Sequence, residues 1–139
     1  MAESFRTLSH DTLPERMGIE LIEASAERVV ATMPVSGNTQ PYGLLHGGAS
    51  CVLAETLGSF GAAILAGPER VTMGIEISAS HHRAVREGTV TGVATLLRGG
   101  RTLATYEIVI TDDDGRRVCT CRLTCLFRDR VPGTPATSG

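Results

Sequence analysis

The sequence predicts an α+β fold in which a mostly antiparallel sheet of about six strands wraps one long central helix. Three observations lead there. Residues 47–66, GGASCVLAETLGSFGAAILA, hold a single charged side chain and run into Gly67-Pro68, a combination that stops a helix. After them the chain switches to apolar residues at every second position, the period of a half-buried strand. Turn formers separate those runs, and no second helix-length segment remains to make parallel crossovers.

In chain order, residues 1–16, with Pro14, read as a loose lead-in with room for a short helix. MGIELIEAS and ERVVATMPV read as two strands joined by a turn around Ser25 to Glu27, and SGNTQPYG as a loop. The helix follows. In VTMGIEISA the odd positions Val71, Met73, Ile75, Ile77 and Ala79 are apolar, and in TLATYEIVIT the even ones, Ala104, Tyr106, Ile108 and Ile110, are. Each strand is therefore expected to bury one face. TVTGVATLL and RVCTCRLTCLF complete the set, with turns at Glu87-Gly88, RGGR and DDDGR, and an antiparallel meander is the simplest connection. The tail from Val131 to Gly139 is rich in Pro, Gly, Ser and Thr and reads as flexible, which leaves one domain over residues 17–130.

At 139 residues with 42% hydrophobic content the chain can build one sizeable core, and a net charge of −2 argues against a nucleic-acid partner. All thirteen basic residues are Arg. The chain does not open on a basic segment followed by an apolar one, so a cytoplasmic location with reduced thiols is expected. A helix this apolar is either a membrane span or a rod wrapped by the rest of the protein. Glu55, Ser50, Ser59, Gly58 and Gly61 favour the wrapped rod, and no membrane partner is expected. Cys119, Cys121 and Cys125 lie in CTCRLTC. On a strand, Cys121 and Cys125 stand roughly 13 Å apart, too far to share one tetrahedral zinc. They read as small buried hydrophobes, with no metal and no cofactor.

Glu55 is the chemical anomaly. An ionised carboxylate in an apolar setting costs several kcal/mol unless paired, and the helix offers no Arg. Glu55 therefore either points along a seam open to ligand and solvent or is held by polar groups from elsewhere. His46-Gly47-Gly48 opens the same helix. Glycine lets a ligand approach the backbone, and unpaired N–H groups at a helix start favour developing negative charge, so this is a candidate oxyanion site.

These residues carry a family resemblance. NTQPYGLLHGGASCVLAETLGS (38–59) and ISASHHRAVREG (77–88) resemble the hotdog-fold acyl-CoA thioesterases. The similarity is greatest to the subgroup of 4-hydroxybenzoyl-CoA thioesterases with a catalytic Glu, the proofreading thioesterase of enterobactin biosynthesis and the phenylacetate-pathway thioesterases. It covers about residues 13–128. The resemblance implies the hotdog fold, with Glu55 as the catalytic carboxylate and the Gly47 amide as the oxyanion donor. It implies Gln40 as a loop side chain polarising the thioester carbonyl, His46 beside it, and Ser59 as a hydroxyl near the attacking group. Plainer readings remain: Gln40 as a loop residue, His46 as a helix cap, Ser59 as a packing residue.

Gly47 and Glu55 are eight residues apart, about 12 Å along a helix axis. One carbonyl does not easily meet both from a single chain, but an antiparallel helix from a second subunit would bring its Gly47 beside this Glu55. The site is therefore expected at a dimer interface, twice per dimer, and the resemblance also implies edge-to-edge dimers that pair into homotetramers. Glu55 would attack the carbonyl carbon or activate a water; the sequence leaves both open. Coenzyme A needs cationic donors for its phosphates, and the resemblance places them at the strand turns: His81, His82, Arg83 and Arg86 at one, Arg101 and Thr102 at the next. His81 or His82 has a second reading, facing the acyl group. The expected activity is hydrolysis of an acyl-CoA thioester of an aromatic or medium-sized acid. An acyl-thioester hydratase or dehydratase and a non-catalytic acyl-CoA binding module are the alternatives, and the carrier, CoA or acyl carrier protein, stays open.

Overall fold

A computed structural model describes residues 10–131 of the chain. Most of the expected lead-in and all of the expected tail after Val131 lie outside those residues. A one-turn helix, α1 (Leu13–Arg16), leads into β1 (Glu20–Ala24) and β2 (Arg28–Pro34). Ser25 closes their turn: its N–H donates to the Arg28 carbonyl at 2.8 Å and its hydroxyl oxygen accepts the Arg28 N–H at 3.0 Å. The long helix α2 (Gly47–Ala66) follows, then β3 (Arg70–His81), β4 (Thr89–Gly99), β5 (Leu103–Thr111) and β6 (Arg117–Asp129). This is the hotdog fold, six antiparallel strands around one long helix.

The strand order is β1-β2-β4-β5-β6-β3, which corrects the simple meander. The hairpins β1-β2, β4-β5 and β5-β6 form as expected, but β3 lies at the far edge on β6, and β2 pairs with β4. Residues 82–88 reconnect β3 to β4. Seven extended residues reach about 23 Å, more than the three strand spacings of roughly 14 Å between those strands. Backbone bonds pin that crossing strap at three points: His82 N to Val118 O at 2.7 Å, Leu45 N to Val85 O at 2.7 Å, and Val35 N to Gly88 O at 2.9 Å. The strap and the 35–46 loop thus close over the N-terminal end of α2.

α2 is long and apolar enough to cross a membrane by length and composition, yet much of it is enclosed by the sheet. Leu53, Ala54, Leu57 and Ala62 are fully buried against Val29, Met33, Tyr106, Ile108, Ile110 and Leu123. Glycine makes that approach possible: a Cβ on Gly58 would sit 2.6 Å from Leu123 Cδ2, and one on Gly61 2.8 Å from Tyr106 Cε1. Ala104, Tyr106, Ile108 and Ile110 point inward as the alternation of β5 predicts. β3 departs from its prediction. A register shift between Gly74 and Glu76 breaks its alternation, and Met73 and Ile75 are 42% and 55% exposed beside an edge with no partner strand among the described residues.

Candidate active site

A cavity of about 410 Å³ opens at the N-terminal end of α2. Its polar wall is Gln40, Gly47, Ser50, His81, His82 and Arg83, and Leu44, Leu45 and Val118 supply apolar surface. The loop and the strap produce this grouping, because each is tied to the other and to the helix start.

His46 caps α2. Its backbone is extended, and its Nδ1 accepts the Gly48 N–H at 2.8 Å, relieving one of the donors a helix start leaves open. A Cβ on Gly48 would lie 2.9 Å from that Nδ1, so the cap and the second glycine need each other. The first glycine answers to a different neighbour. A Cβ on Gly47 would lie 3.0 Å from His81 Nε2 and 3.1 Å from its Cε1. The Gly47 N–H has no acceptor among the described residues and lies at the cavity wall. Such an amide, at the positive end of a helix dipole, suits an oxygen that gains negative charge.

Gln40 is fixed by its own loop. Its Oε1 accepts the Tyr42 N–H at 2.5 Å and, more distantly, the Leu44 N–H at 3.4 Å. With the oxygen engaged, the carboxamide NH2 is the group left for a ligand. His82 reaches Thr120 Oγ1 through Nε2 at 2.9 Å. Arg83 and Arg86 are exposed and form no ion pair among the described residues, and Arg83 alone of the two lines the cavity.

Two groups of expected site residues lie elsewhere in the chain. Glu55 is exposed, with its carboxyl beside Gly74 of the edge strand, 3.8 Å from a Cβ built there, and it does not line the cavity. Of the two possibilities for a carboxylate in an apolar helix, the open seam is the one realised. Ser59, one turn on, is buried and bonds Cys125, whose thiol burial pushes up to about 11 while the Ser59 bond acts the other way. Arg101 and Thr102 are at the opposite end of the helix: Arg70 donates to the Arg101 carbonyl at 2.7 Å, and Phe127 N–H donates to the Thr102 carbonyl at 2.8 Å. Within one chain the structure brings together Gln40, Gly47, His81, His82 and Arg83, and leaves Glu55, Ser59, Arg86, Arg101, Thr102 and the helix cap His46 out of the cavity lining.

Sequence reasoning missed Ser50, buried at the cavity wall, and Cys119 behind His81. Cys119 Sγ lies 3.5 Å from His81 Nδ1 and 3.5 Å from Cys121 Sγ. All four cysteines are free thiols. Burial, then Cys119 and Glu55, raise the Cys51 thiol, which makes it a poor nucleophile. Among the described residues no cluster of His, Cys, Asp and Glu is placed to hold a metal ion.

The profile of the thioesterase superfamily matches residues 42–119, a span that runs from the loop through α2 to the start of β6. The proofreading thioesterase EntH of Cronobacter turicensis is 50% identical over 123 residues, which cover 88% of this chain and 90% of that protein. A mutant of thioesterase PA1618 from Pseudomonas aeruginosa superposes with a TM-score of 0.90 at 35% identity, covering 94% of this chain and 95% of the other. A hypothetical thioesterase from Streptococcus pneumoniae, solved with coenzyme A, shares the fold with a TM-score of 0.79 at 20% identity, covering 91% of this chain and 98% of that one. The matched span contains the capped helix start, the unpaired Gly47 amide and the lone Glu55, and on these grounds the chain belongs to the thioesterase superfamily.

Proposed function

We propose that this thioesterase hydrolyses an acyl-CoA thioester at a site shared by two protomers, in which Glu55 of one chain acts on a carbonyl polarised by the Gly47 N–H of the other. One observation carries the reading: Gly47 lines a cavity that Glu55 does not line, while Glu55 stands exposed beside a strand edge with no partner among the described residues. The exposed Met73 and Ile75 on the edge strand β3 support the second chain: one paired there would cover them, and its antiparallel α2 would set a Gly47 against Glu55.

The chemistry follows from those groups. The thioester carbonyl oxygen takes the Gly47 N–H, with the Gln40 NH2 and His46 at the same loop end, and one such donor lowers the barrier by about 3 kcal/mol. Glu55 supplies the attack, as nucleophile through an anhydride or as base for a water, and Ser59 stands one helical turn away. Arg83, Arg86 and His82 offer donors to the phosphates of a CoA carrier, which is the molecule bound in the Streptococcus pneumoniae neighbour, while His81 keeps the second reading and faces the acyl group. Leu44, Leu45 and Val118 suit an aromatic or medium-sized acyl group.

Subunit complementation tests the reading. Glu55→Ala and Gly47→Val chains are each inactive on a panel of acyl-CoA thioesters; unfolded and refolded together they regain turnover, because one site of each mixed dimer joins an intact Gly47 to an intact Glu55. Mixed dimers that stay as inactive as either parent would overturn the shared site, and an active Glu55→Ala enzyme would overturn the role of the carboxylate.

A further inference from the structure

His81 and Cys119 are directly paired residues at the ends of β3 and β6, so their side chains leave the sheet on the same face. There the Cys119 sulfur meets His81 Nδ1 at 3.5 Å and, two residues along the strand, the Cys121 sulfur at 3.5 Å. Both cysteines are buried. The other edge of the ring, Nε2 and Cε1, lies over Gly47 at the cavity wall. A buried file of two thiols thus ends on an imidazole whose far nitrogen adjoins the candidate oxyanion amide.

We propose that Cys121 and Cys119 form a thiol relay that holds His81 with Nδ1 as acceptor, so that Nε2–H is presented to the substrate carbonyl as a second donor beside the Gly47 amide. The inference rests on the thioesterase site proposed above and adds Cys119 to it as a positioning residue. Direction along the file decides the matter. If Cys121 S–H donates to Cys119, and Cys119 S–H to His81 Nδ1, every proton has an acceptor and Nε2 carries the remaining one. If the file runs the other way, His81 Nδ1–H donates to Cys119, Cys119 to Cys121, and the buried Cys121 S–H is left with no acceptor among the described residues. The first direction pairs both thiol protons and the second strands one, a bias smaller than for an N–H or O–H because a thiol is a weak donor. An imidazole tautomer set by the partner of its other nitrogen is a general device, and it works only while that partner is held.

The test reads the ring itself. Long-range ¹H–¹⁵N spectra of histidine-labelled protein, with His81 assigned through its loss in His81→Asn, are expected to show Nδ1 bare and Nε2 protonated in the free wild-type enzyme. In Cys119→Val the ring becomes a mixture of tautomers. On an acyl-CoA substrate, kcat of that variant falls about tenfold, less than loss of a whole donor, with KM held within about twofold. Cys119→Ser, which keeps a donor, restores both the spectrum and kcat. A wild-type ring protonated at Nδ1, or a Cys119→Val ring still fixed as Nε2–H, would overturn the relay, and the wild-type spectrum decides even where the valine variant does not fold. The spectrum needs no substrate, so a protein with the expected tautomer and no thioesterase turnover would sink the functional reading and leave the relay standing.

Discussion

The Nε2 edge of His81 closes over Gly47 so nearly that a methyl group at residue 47 would lie 3.0 Å from it. The glycine of the helix start and the histidine of β3 are therefore one unit, although 34 positions separate them in sequence. Gly47→Ala keeps the backbone N–H but pushes the ring aside. We expect kcat to fall about tenfold, while helix propensity, which favours Ala over Gly by about 1 kcal/mol, keeps the melting temperature close to wild type. Full activity in Gly47→Ala would mean that the position of the ring does not matter.

Gly58 makes the same kind of contact in the core, where Leu123 lies 2.6 Å from the place of its missing Cβ. Alanine gains about 1 kcal/mol of helix propensity and loses about 1–3 to overpacking. The net is a destabilisation of about 1 kcal/mol, read as a lower urea midpoint at constant slope. An unchanged midpoint would show that helix and sheet separate without cost.

Met73 and Ile75 expose apolar surface along an edge that has no partner strand among the described residues. The double variant Met73→Lys, Ile75→Lys puts charge where a second strand would add. Light scattering is expected to give a dimer or larger assembly for the wild type and a monomer for the variant, with the variant's turnover reduced about tenfold or more. A monomer with full activity would contradict the shared site.

The turn between β5 and β6 carries a pH dependence of its own. Asp112 accepts backbone N–H bonds from Arg116 at 2.9 Å and Asp114 at 3.0 Å, and chiefly the Arg116 amide holds its carboxyl below the ordinary carboxylate range. A folded value below the unfolded one means that the anion stabilises the turn above about pH 4 and that this contribution is lost as the pH falls through the lowered value. Asp112→Asn should be less stable than wild type at pH 7, and the gap should close on acidification. Parallel curves for the two proteins from pH 7 to pH 2 would rule this out.

His46 is a cap whose loss is measurable. His46→Ala removes the acceptor of the Gly48 N–H and should cost about 1 kcal/mol, most of which His46→Asn restores. Equal stability of all three proteins would show that the Gly48 bond adds nothing.

The sequence by itself determined the one long helix with its ends and the set of strands, with strand ends off by up to three residues. Gly67-Pro68 can only stop a helix, and the β5 alternation of Ala104, Tyr106, Ile108 and Ile110 needs no more than a period of two to set its inner face. It also singled out Glu55 and Gly47, because a charge and a glycine pair are conspicuous in an apolar run. Only the tertiary structure decided what those residues face. Strand order cannot be read from turns alone, so the place of β3 at the far edge, its exposed Met73 and Ile75, and the closing of the strap over α2 were out of reach. The bond between His81 and Cys119 was hidden for the same reason: it depends on the register of two strands that are distant in sequence, and register is fixed by which faces the whole sheet can bury around its helix.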